Sequence, residues 1–76
     1  MRIRYSNESK LRIQMAKLGW TEEQIIEALR TTGVAARGKK GPATRYIHPS
    51  TGSSLVVDDA TGEIIHVGGD GFEYPD

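Results

Sequence analysis

The segment GPATRYIHPSTGSSLVVDDATGEIIHVG, residues 41–68, decides the fold of this chain. Its runs of valine, isoleucine, threonine and tyrosine predict three strands, at 45–48, 54–58 and 63–67. Turn residues separate these strands at 49–52 and at 59–62. A three-stranded antiparallel meander needs cover on one face to be stable. Any functional site is therefore expected on the open face, where the basic loop 37–40 arrives.

The residues before this segment predict two short helices that supply the cover. In the first helix, Ser6 or Asn7 suits the N-cap and Gly19 suits a left-handed C-cap, so the helix runs to about residue 18. The second helix begins with a capping box at 21–24, flanked by a hydrophobic staple of Trp20 and Ile25. The apolar positions give a predicted core of Leu11, Met15, Leu18, Trp20, Ile25, Ile26, Leu29, Val56 and Ile65.

The order of these elements predicts the fold class. Residues 34–36 suit an edge strand, and residues 1–5 suit a short strand or an ordered arm. Helix, helix and meander in that order indicate an α+β fold, with two N-terminal helices packed on a small antiparallel β-meander of three to four strands. A chain of 76 residues makes one domain, 1–76, of which about 69–76 is expected to be a flexible acidic and aromatic tail.

The charges are distributed unevenly although the net charge is zero. Residues 1–47 hold all ten lysines and arginines against four acids, which gives +6, whereas residues 48–76 hold six acids and no base, which gives −6. A basic half of this kind suits phosphate binding, although the two halves would equally neutralise each other in the fold. There is no cysteine for a disulfide or a thiolate site, and no apolar run of membrane-spanning length. These features are typical of a cytoplasmic protein.

Three blocks of the sequence together resemble the colicin E-five ribonuclease domain and its relatives among bacterial toxins. In residues 10–26, Lys10 stands ten residues before the tryptophan of Gly-Trp-Thr-Glu. Residues 41–46, Gly-Pro-Ala-Thr-Arg-Tyr, are similar to the Asp-Pro-Ala-Thr-x-Tyr of the family. Residues 55–67, LVVDDATGEIIHV, are similar to its Val-Val-Asn-Asp-x-Thr-Gly-Glu-Val strand pair. The resemblance covers most of residues 10–67 in the same order.

The resemblance implies a single toxin-type ribonuclease domain that needs no metal or other cofactor. Such an enzyme cleaves tRNA in the anticodon loop, after guanine or a modified guanine and before uridine. The 2′-hydroxyl attacks the phosphate and leaves a 2′,3′-cyclic end. The resemblance also implies a cognate antitoxin or immunity protein that covers the basic cleft, and a site of action in the bacterial cytoplasm without a membrane.

The family pattern is carried over to this chain at a few positions. Its catalytic helix lysine falls on Lys10, and its loop lysine on Lys39 or Lys40. Its guanine-reading backbone and following aromatic residue suggest Val67, Gly68 and either Phe72 or Tyr74. An arginine of the family is replaced by Leu18, and the adjacent Lys17 points about 100° away on a helix.

Cleavage by the 2′-hydroxyl requires in-line geometry, a proton acceptor and positive charge around the phosphate. The cations expected around that phosphate are Lys10, Arg12, Arg37, Lys39, Lys40 and Arg45, with Lys17 as a further substrate-binding candidate. If other cations crowd Lys10, its ammonium loses its proton more readily and becomes a base. The competing interpretation is that Lys10 is an ordinary solvated lysine on a helix surface.

Histidines and carboxylates give weaker signals. With one strand phase, His48 shares a face with Tyr46 and His66 shares another with Ile64, so a two-histidine mechanism depends on whether those faces coincide. A histidine on a sheet face is more often a packing residue. The pattern Asp58-Asp59-x-Thr-Gly-Glu63 is better explained as a hairpin turn than as a carboxylate pair. Two scattered histidines do not indicate zinc.

Two other functions stay open at the level of sequence. The two helices resemble a helix-turn-helix of a non-catalytic nucleic-acid binder, although the acids at 22–23 would repel phosphate at the start of the recognition helix. A small protein-interaction module that uses an exposed sheet edge is the other alternative.

Overall fold

The computed structural model of the chain describes residues 3–38 and 41–70. Two helices precede four strands: α1 Glu8–Leu18, α2 Glu22–Leu29, β1 Val34–Gly38, β2 Gly41–Ile47, β3 Ser53–Asp58 and β4 Ile64–Asp70. The strands form one antiparallel sheet in the order β1-β2-β3-β4. The predicted α+β class, with two N-terminal helices and a meander of three to four strands, is confirmed.

The helix ends follow the capping residues in the sequence. The side chain of Asn7 accepts a hydrogen bond from the Lys10 main-chain N–H at 3.2 Å, and Gly19 ends α1 with a φ of 78°. In α2, Thr21 and Gln24 form the complete capping box, with both reciprocal bonds at 3.1 Å. No helix within residues 3–38 and 41–70 is long and apolar enough to cross a membrane.

The main core lies between the two helices and one face of the sheet. We call this face, which carries Leu55 and Val67 as paired neighbours, the helix face. The buried core residues are Leu11, Met15, Trp20, Ile25, Ala28, Leu55, Ile64 and Val67. Four of these residues lie on the predicted apolar stripes of the helices, and Trp20 lies between the helices as the partner of Ile25 in the staple. The predicted placement of both helices against the sheet is therefore correct.

Some core assignments were wrong in detail. Leu18 is 37% exposed at the end of α1, and Ile26 and Ile65 are only partly buried. Val56 is fully buried as predicted, on the face opposite to the helices and apart from the main core. Leu18 lies at a helix end, Ile26 lies on a flank of the apolar stripe, and Ile65 lies at an irregularity of the sheet. At such positions, periodicity alone does not show which side chains point inward.

In each of the two turns that join the last three strands, one side chain at the start of the turn accepts hydrogen bonds from the residues that follow it. Asp58 Oδ2 accepts hydrogen bonds from the main-chain N–H and the hydroxyl of Thr61, both at 3.0 Å. In the preceding turn, His48 Nδ1 accepts from the main-chain N–H groups of Ser50 and Thr51 at 3.1 and 3.2 Å. The turn prediction for 59–62 is thus confirmed, and an imidazole performs the acceptor role of the aspartate in the other turn.

Several strands extend beyond their predicted limits. The edge strand continues to Gly38, the next begins at Gly41, and β4 continues to Asp70, so residues 69–70 belong to the sheet rather than to a tail. Tyr5 forms a parallel bridge with Ile64, so residues 3–5 of the predicted arm lie beside β4, and residues 1–2 lie outside the described residues. The rest of the predicted tail, 71–76, lies outside the described residues.

Candidate functional site

The face of the sheet opposite to the helices carries Arg45 and His66 in one row across three strands. Residues directly opposite each other on antiparallel strands share a face. Val56 of β3 pairs with Arg45 of β2 on one side and with His66 of β4 on the other. Arg45 and His66 therefore flank Val56 in one row, at a main-chain separation of two strand spacings, or about 10 Å.

A bulge in β4 is the reason that His66 lies on this face. His66 pairs with Val56 whereas Ile64 pairs with Val57, so Ile65 is an extra residue between the two pairs. Val56 and Val57 point to opposite faces, and their partners do the same. The prediction that Ile64 and His66 share a face was therefore wrong, because the inserted residue shifts the alternation of the strand.

The sheet curls strongly, so this face is concave. A methyl group built on Gly38 of β1 would lie 2.8 Å from Ile65 Cδ1 of β4. In a flat sheet, β1 and β4 would be three strand spacings apart, about 14 Å, and no such approach would occur. We call the surface formed by Gly38, Ala43, Arg45, Val56, Ile65 and His66 the concave face. The end of β1 that leads into residues 39 and 40 therefore lies beside the bulge.

Helix α1 adds Lys10 to this site. The ammonium charge of Lys10 acts on His66, which places the two groups within electrostatic range of each other. Lys10 precedes the buried stripe of Leu11 and Met15, so it projects from one flank of the helix. Lys17 is seven residues further on, on the same flank as Lys10, and is exposed. The structure thus places Lys10 near β4, the strand that carries His66, whereas Arg45 lies two strands away on β2 and Lys17 lies further along α1.

The environment favours an uncharged imidazole at His66. Burial, together with the charge of Lys10, lowers the pKa of His66 below its ordinary value. The carboxylate described on the concave face is that of Asp58, which pairs with Ala43 and whose Oδ2 is bonded to Thr61. That carboxylate is buried in its turn, and Arg45 and His66 flank Val56 at the centre of the face.

Arg12 is placed away from this site. Its guanidinium bonds Glu8 at 2.8 Å and Glu22 at 3.0 Å, and lies 5.4 Å from the centre of the Tyr5 ring. The hydrogen bond with Glu8, supported by Glu22, raises the pKa of Arg12. These contacts join the two helices and the N-terminal arm, on the helix flank opposite to Lys10. Arg12 is therefore held in a structural network.

The remaining predicted residues are placed as follows. Arg37 is exposed on β1 and, by alternation from the pair Val34–Arg45, lies on the face opposite to Arg45. Val67 is fully buried in the main core, and the buried Gly68 offers its carbonyl to Trp20 Nε1–H at 2.9 Å. The assignments to Lys39, Lys40, Phe72 and Tyr74 fall outside the described residues.

His48 lies on the helix face, on the other side of the sheet from His66. Its Nε2 donates to Glu27 at 2.8 Å because Nδ1 is occupied as a turn acceptor, and its ring meets Trp20 edge-on at 6.2 Å. The two histidines therefore share no site, and a two-histidine mechanism is excluded. Within residues 3–38 and 41–70, no cluster of histidine and carboxylate side chains is suited to a metal ion.

His66 is the residue of this site that sequence reasoning undervalued. The strand pattern gave it a place beside Ile64, and only the bulge moves it to the concave face. A signal was present, since Ile64 and Ile65 are adjacent apolar residues that interrupt strict alternation before His66. Two neighbouring apolar residues in a half-buried strand are compatible with a bulge.

Comparisons of this chain with protein-family models, with curated proteins and with solved structures find no match.

Proposed function

We propose that this protein is a metal-independent endoribonuclease toxin that cleaves tRNA in the anticodon loop, after guanine or a modified guanine and before uridine. The observation that supports a ribonuclease is the position of Arg45 on the concave face, which curls so that the end of β1 leading to residues 39 and 40 lies beside β4, with Lys10 on the helix that packs against β4. The choice of tRNA and of the cleaved step rests on the resemblance of the sequence blocks to the colicin E-five domain.

The cations of the concave face suit the chemistry of RNA cleavage. Attack of the 2′-oxygen on phosphorus creates a phosphorane with additional negative charge, which fixed positive groups stabilise. The guanidinium of Arg45 offers a planar pair of donors to two phosphate oxygens, and the ammonium of Lys10 offers a point charge. Because these groups lie on two different elements, a phosphate between them would be held from two sides, which favours in-line geometry.

The same cations define the partner that would inhibit the enzyme. A cognate antitoxin or immunity protein is expected to present carboxylates to the concave face, in place of the phosphates of the tRNA. The site of action of such a toxin is the bacterial cytoplasm. Salt should weaken the binding of this partner, because its carboxylates pair with exposed cations of the protein and salt screens such charge pairs.

The helices support this function better than a helix-turn-helix. Ile25 and Ala28 of α2 are fully buried in the main core, and Glu22 in its first turn is bonded to Arg12. A recognition helix needs an exposed face with a start that tolerates phosphate. In this protein the helices cover one face of the sheet, and Arg45 lies on the opposite face.

The test is incubation of the purified protein with bacterial tRNA in EDTA, followed by mapping of the product ends. We expect tRNA halves with a 2′,3′-cyclic phosphate, and loss of these products in Lys10→Ala, Arg45→Ala and a Lys39/Lys40 double alanine variant. Arg30→Ala, which removes an exposed cation at the end of α2, is the matched control and should cleave as the wild type does. Intact tRNA with salt-sensitive binding would indicate a non-catalytic binder, and intact tRNA without binding would refute an RNA function.

A further inference from the structure

We propose that the outer edge of β1 is a docking site for an extended, acidic segment of a partner protein, which pairs with β1 as an additional strand of the sheet. This edge is separate from the concave face, and the inference does not rest on the proposed function. It is carried by the direction of the main-chain groups of β1 and by the charge of the hairpin to which β1 belongs.

The register of the sheet determines which main-chain groups of β1 point outward. The Pro42 carbonyl accepts from the Asp59 main-chain N–H at 3.2 Å, so the main-chain groups of Pro42 are directed to β3. Arg37 is the partner of Pro42 in the antiparallel ladder between β1 and β2, and it is opposite a residue that does not bond to it. The N–H and C=O groups of Arg37 therefore point away from β2. Those of Ala35, two residues earlier, do the same.

These outward groups are open to an incoming strand. Within residues 3–38 and 41–70, β1 pairs only with β2. Val34, Ala35 and Arg37 are exposed, and Ile65 approaches the strand at its last residue, Gly38. The strand has neither a proline nor a lysine, which commonly protect sheet edges, and its alanines and glycine leave room for a neighbouring main chain. The edge thus offers the donors and acceptors of two exposed residues.

The opposite edge of the sheet, in contrast, is covered where the N-terminal arm meets β4. The Ile64 main-chain N–H donates to the Arg4 carbonyl at 2.8 Å, and the Ile64 carbonyl accepts from the Ser6 N–H at 3.0 Å. Folded proteins commonly block such edges, because an open edge pairs with other chains. An open β1 in the same sheet as a covered β4 is the arrangement expected where one edge receives a partner strand.

The charge around this edge favours an acidic partner. Residues 28–57, which include β1 and β2, contain five lysines and arginines and no acid. Arg37 is exposed on the edge strand itself, and Arg30 is exposed at the end of α2, shortly before β1 begins. A second copy of this chain would bring the same cations to the edge, and like charges on paired strands are destabilising. Carboxylates of a different protein would be attracted.

The alternation of β1 defines the side-chain pattern of the partner segment. Ala35 and Arg37 lie on the helix face, whereas Val34 and Ala36 lie on the other face of the sheet. In a strand paired with β1, the residues opposite Arg37 share its face, so acidic residues suit that side. Val34 is 46% exposed and would be buried by an apolar neighbour on its own side. The partner segment is therefore expected to alternate acidic and apolar residues.

The first experiment measures binding of the whole protein to a short fluorescein-labelled peptide in which glutamate and valine alternate, by fluorescence anisotropy. We expect saturable binding that salt weakens. Arg37→Glu should weaken binding about 10-fold, because attraction to the peptide becomes repulsion. Arg4→Glu is the matched control, since it makes the same charge change on an exposed residue beside the covered edge, and it should bind the peptide as the wild type does.

The second experiment tests the pairing of the main chains. Ala35→Pro removes an outward N–H and leaves the ladder with β2 intact, so the variant should fold and lose at least about 10-fold in peptide affinity. If it does not fold, N-methylated peptides decide the same point with the wild-type protein. Methylation of one alternate set of peptide amides should abolish binding, and methylation of the other set should not, because alternate N–H groups of a strand face the same neighbour.

The outcomes separate the proposed occupant from the others. Absence of peptide binding at millimolar concentration refutes the proposal. Binding that depends on Arg37 but is unaffected by Ala35→Pro and by N-methylation shows attraction without strand pairing, and also refutes it. A wild-type dimer in sedimentation that Ala35→Pro converts to a monomer assigns the edge to a second copy, contrary to the proposal. Because none of these measurements involves RNA, failure of this proposal leaves the proposed function standing.

Discussion

Replacement of His48 tests the structural role of this histidine in the turn between β2 and β3. In His48→Ala the N–H groups of Ser50 and Thr51 lose their acceptor, Glu27 loses a donor, and Trp20 loses an edge-on aromatic contact. In His48→Asn the shorter side chain keeps an oxygen where Nδ1 was, as Asp58 does in the equivalent turn. Only His48→Asn therefore keeps an acceptor for the turn, whereas both variants lose the bond to Glu27 and the contact with Trp20.

The structure gives the magnitude of each loss. The turn amides belong to exposed residues and would be solvated after substitution, so their acceptor contributes about 1 kcal/mol. The bond to Glu27, whose side chain is 48% exposed, contributes about 0.5–1 kcal/mol. The contact with Trp20 contributes about 0.5–1.5 kcal/mol. We expect His48→Ala to lower the free energy of unfolding by about 2–4 kcal/mol in total. The decrease for His48→Asn should be about 1 kcal/mol smaller.

These losses are large for a domain of 76 residues, whose core supplies about 3–5 kcal/mol of stability. Urea unfolding measures them, with the slope m as the check that only stability has changed. Asp58→Ala and Asp58→Asn form the matched pair in the other turn. Equal free energies of unfolding for His48→Ala and His48→Asn, at equal m, would refute the proposed acceptor role of Nδ1.

Four further predictions concern the core, the sheet and His66. Trp20→Phe should cost about 1–3 kcal/mol in urea unfolding, because it leaves the buried main-chain carbonyl that the indole bonds without a donor. Gly33→Ala should cost about 1–3 kcal/mol, because its methyl group would overlap the methyl group of Thr44 and lie 3.0 Å from the Tyr46 ring; a loss below 0.5 kcal/mol would contradict this packing. Because burial and Lys10 lower the pKa of His66, the unfolded chain binds more protons at mildly acidic pH. The free energy of unfolding should therefore fall as the pH drops through about 6.5 and level off below the folded pKa. Lys10→Gln should raise the pKa of His66 in an NMR titration, and an unchanged value would show that the lysine is remote.

The separation of roles between the two faces links the fold to the proposed function. On the helix face, Trp20 and His48 join the helices to the turns, and Arg12 joins the helices to each other. These contacts stabilise the sheet from behind. Under the proposed function, Arg45 on the concave face and Lys10 on α1 would act on a ligand, without a part in the main core.

Local elements of the fold could be predicted because their causes are local. The caps at Asn7, Gly19 and Thr21 use side chains and backbone conformations within a few residues of the helix ends. The turns at 49–52 and 59–62 are likewise closed by bonds within one turn. The sequence by itself therefore determined the two helices, the meander and which helix faces are buried.

The site was decided by the tertiary structure, because its causes lie between elements distant in the chain. The bulge at Ile65 depends on how β4 pairs with β3, and it moves His66 to the opposite face from the one predicted. The approach of Gly38 to Ile65 depends on the curl of the whole sheet. Arg12 is held away from the site by an ion pair with Glu22, which forms only when the helices pack together. Composition and periodicity identify which residues are cationic, whereas strand register and sheet curvature determine which of them meet.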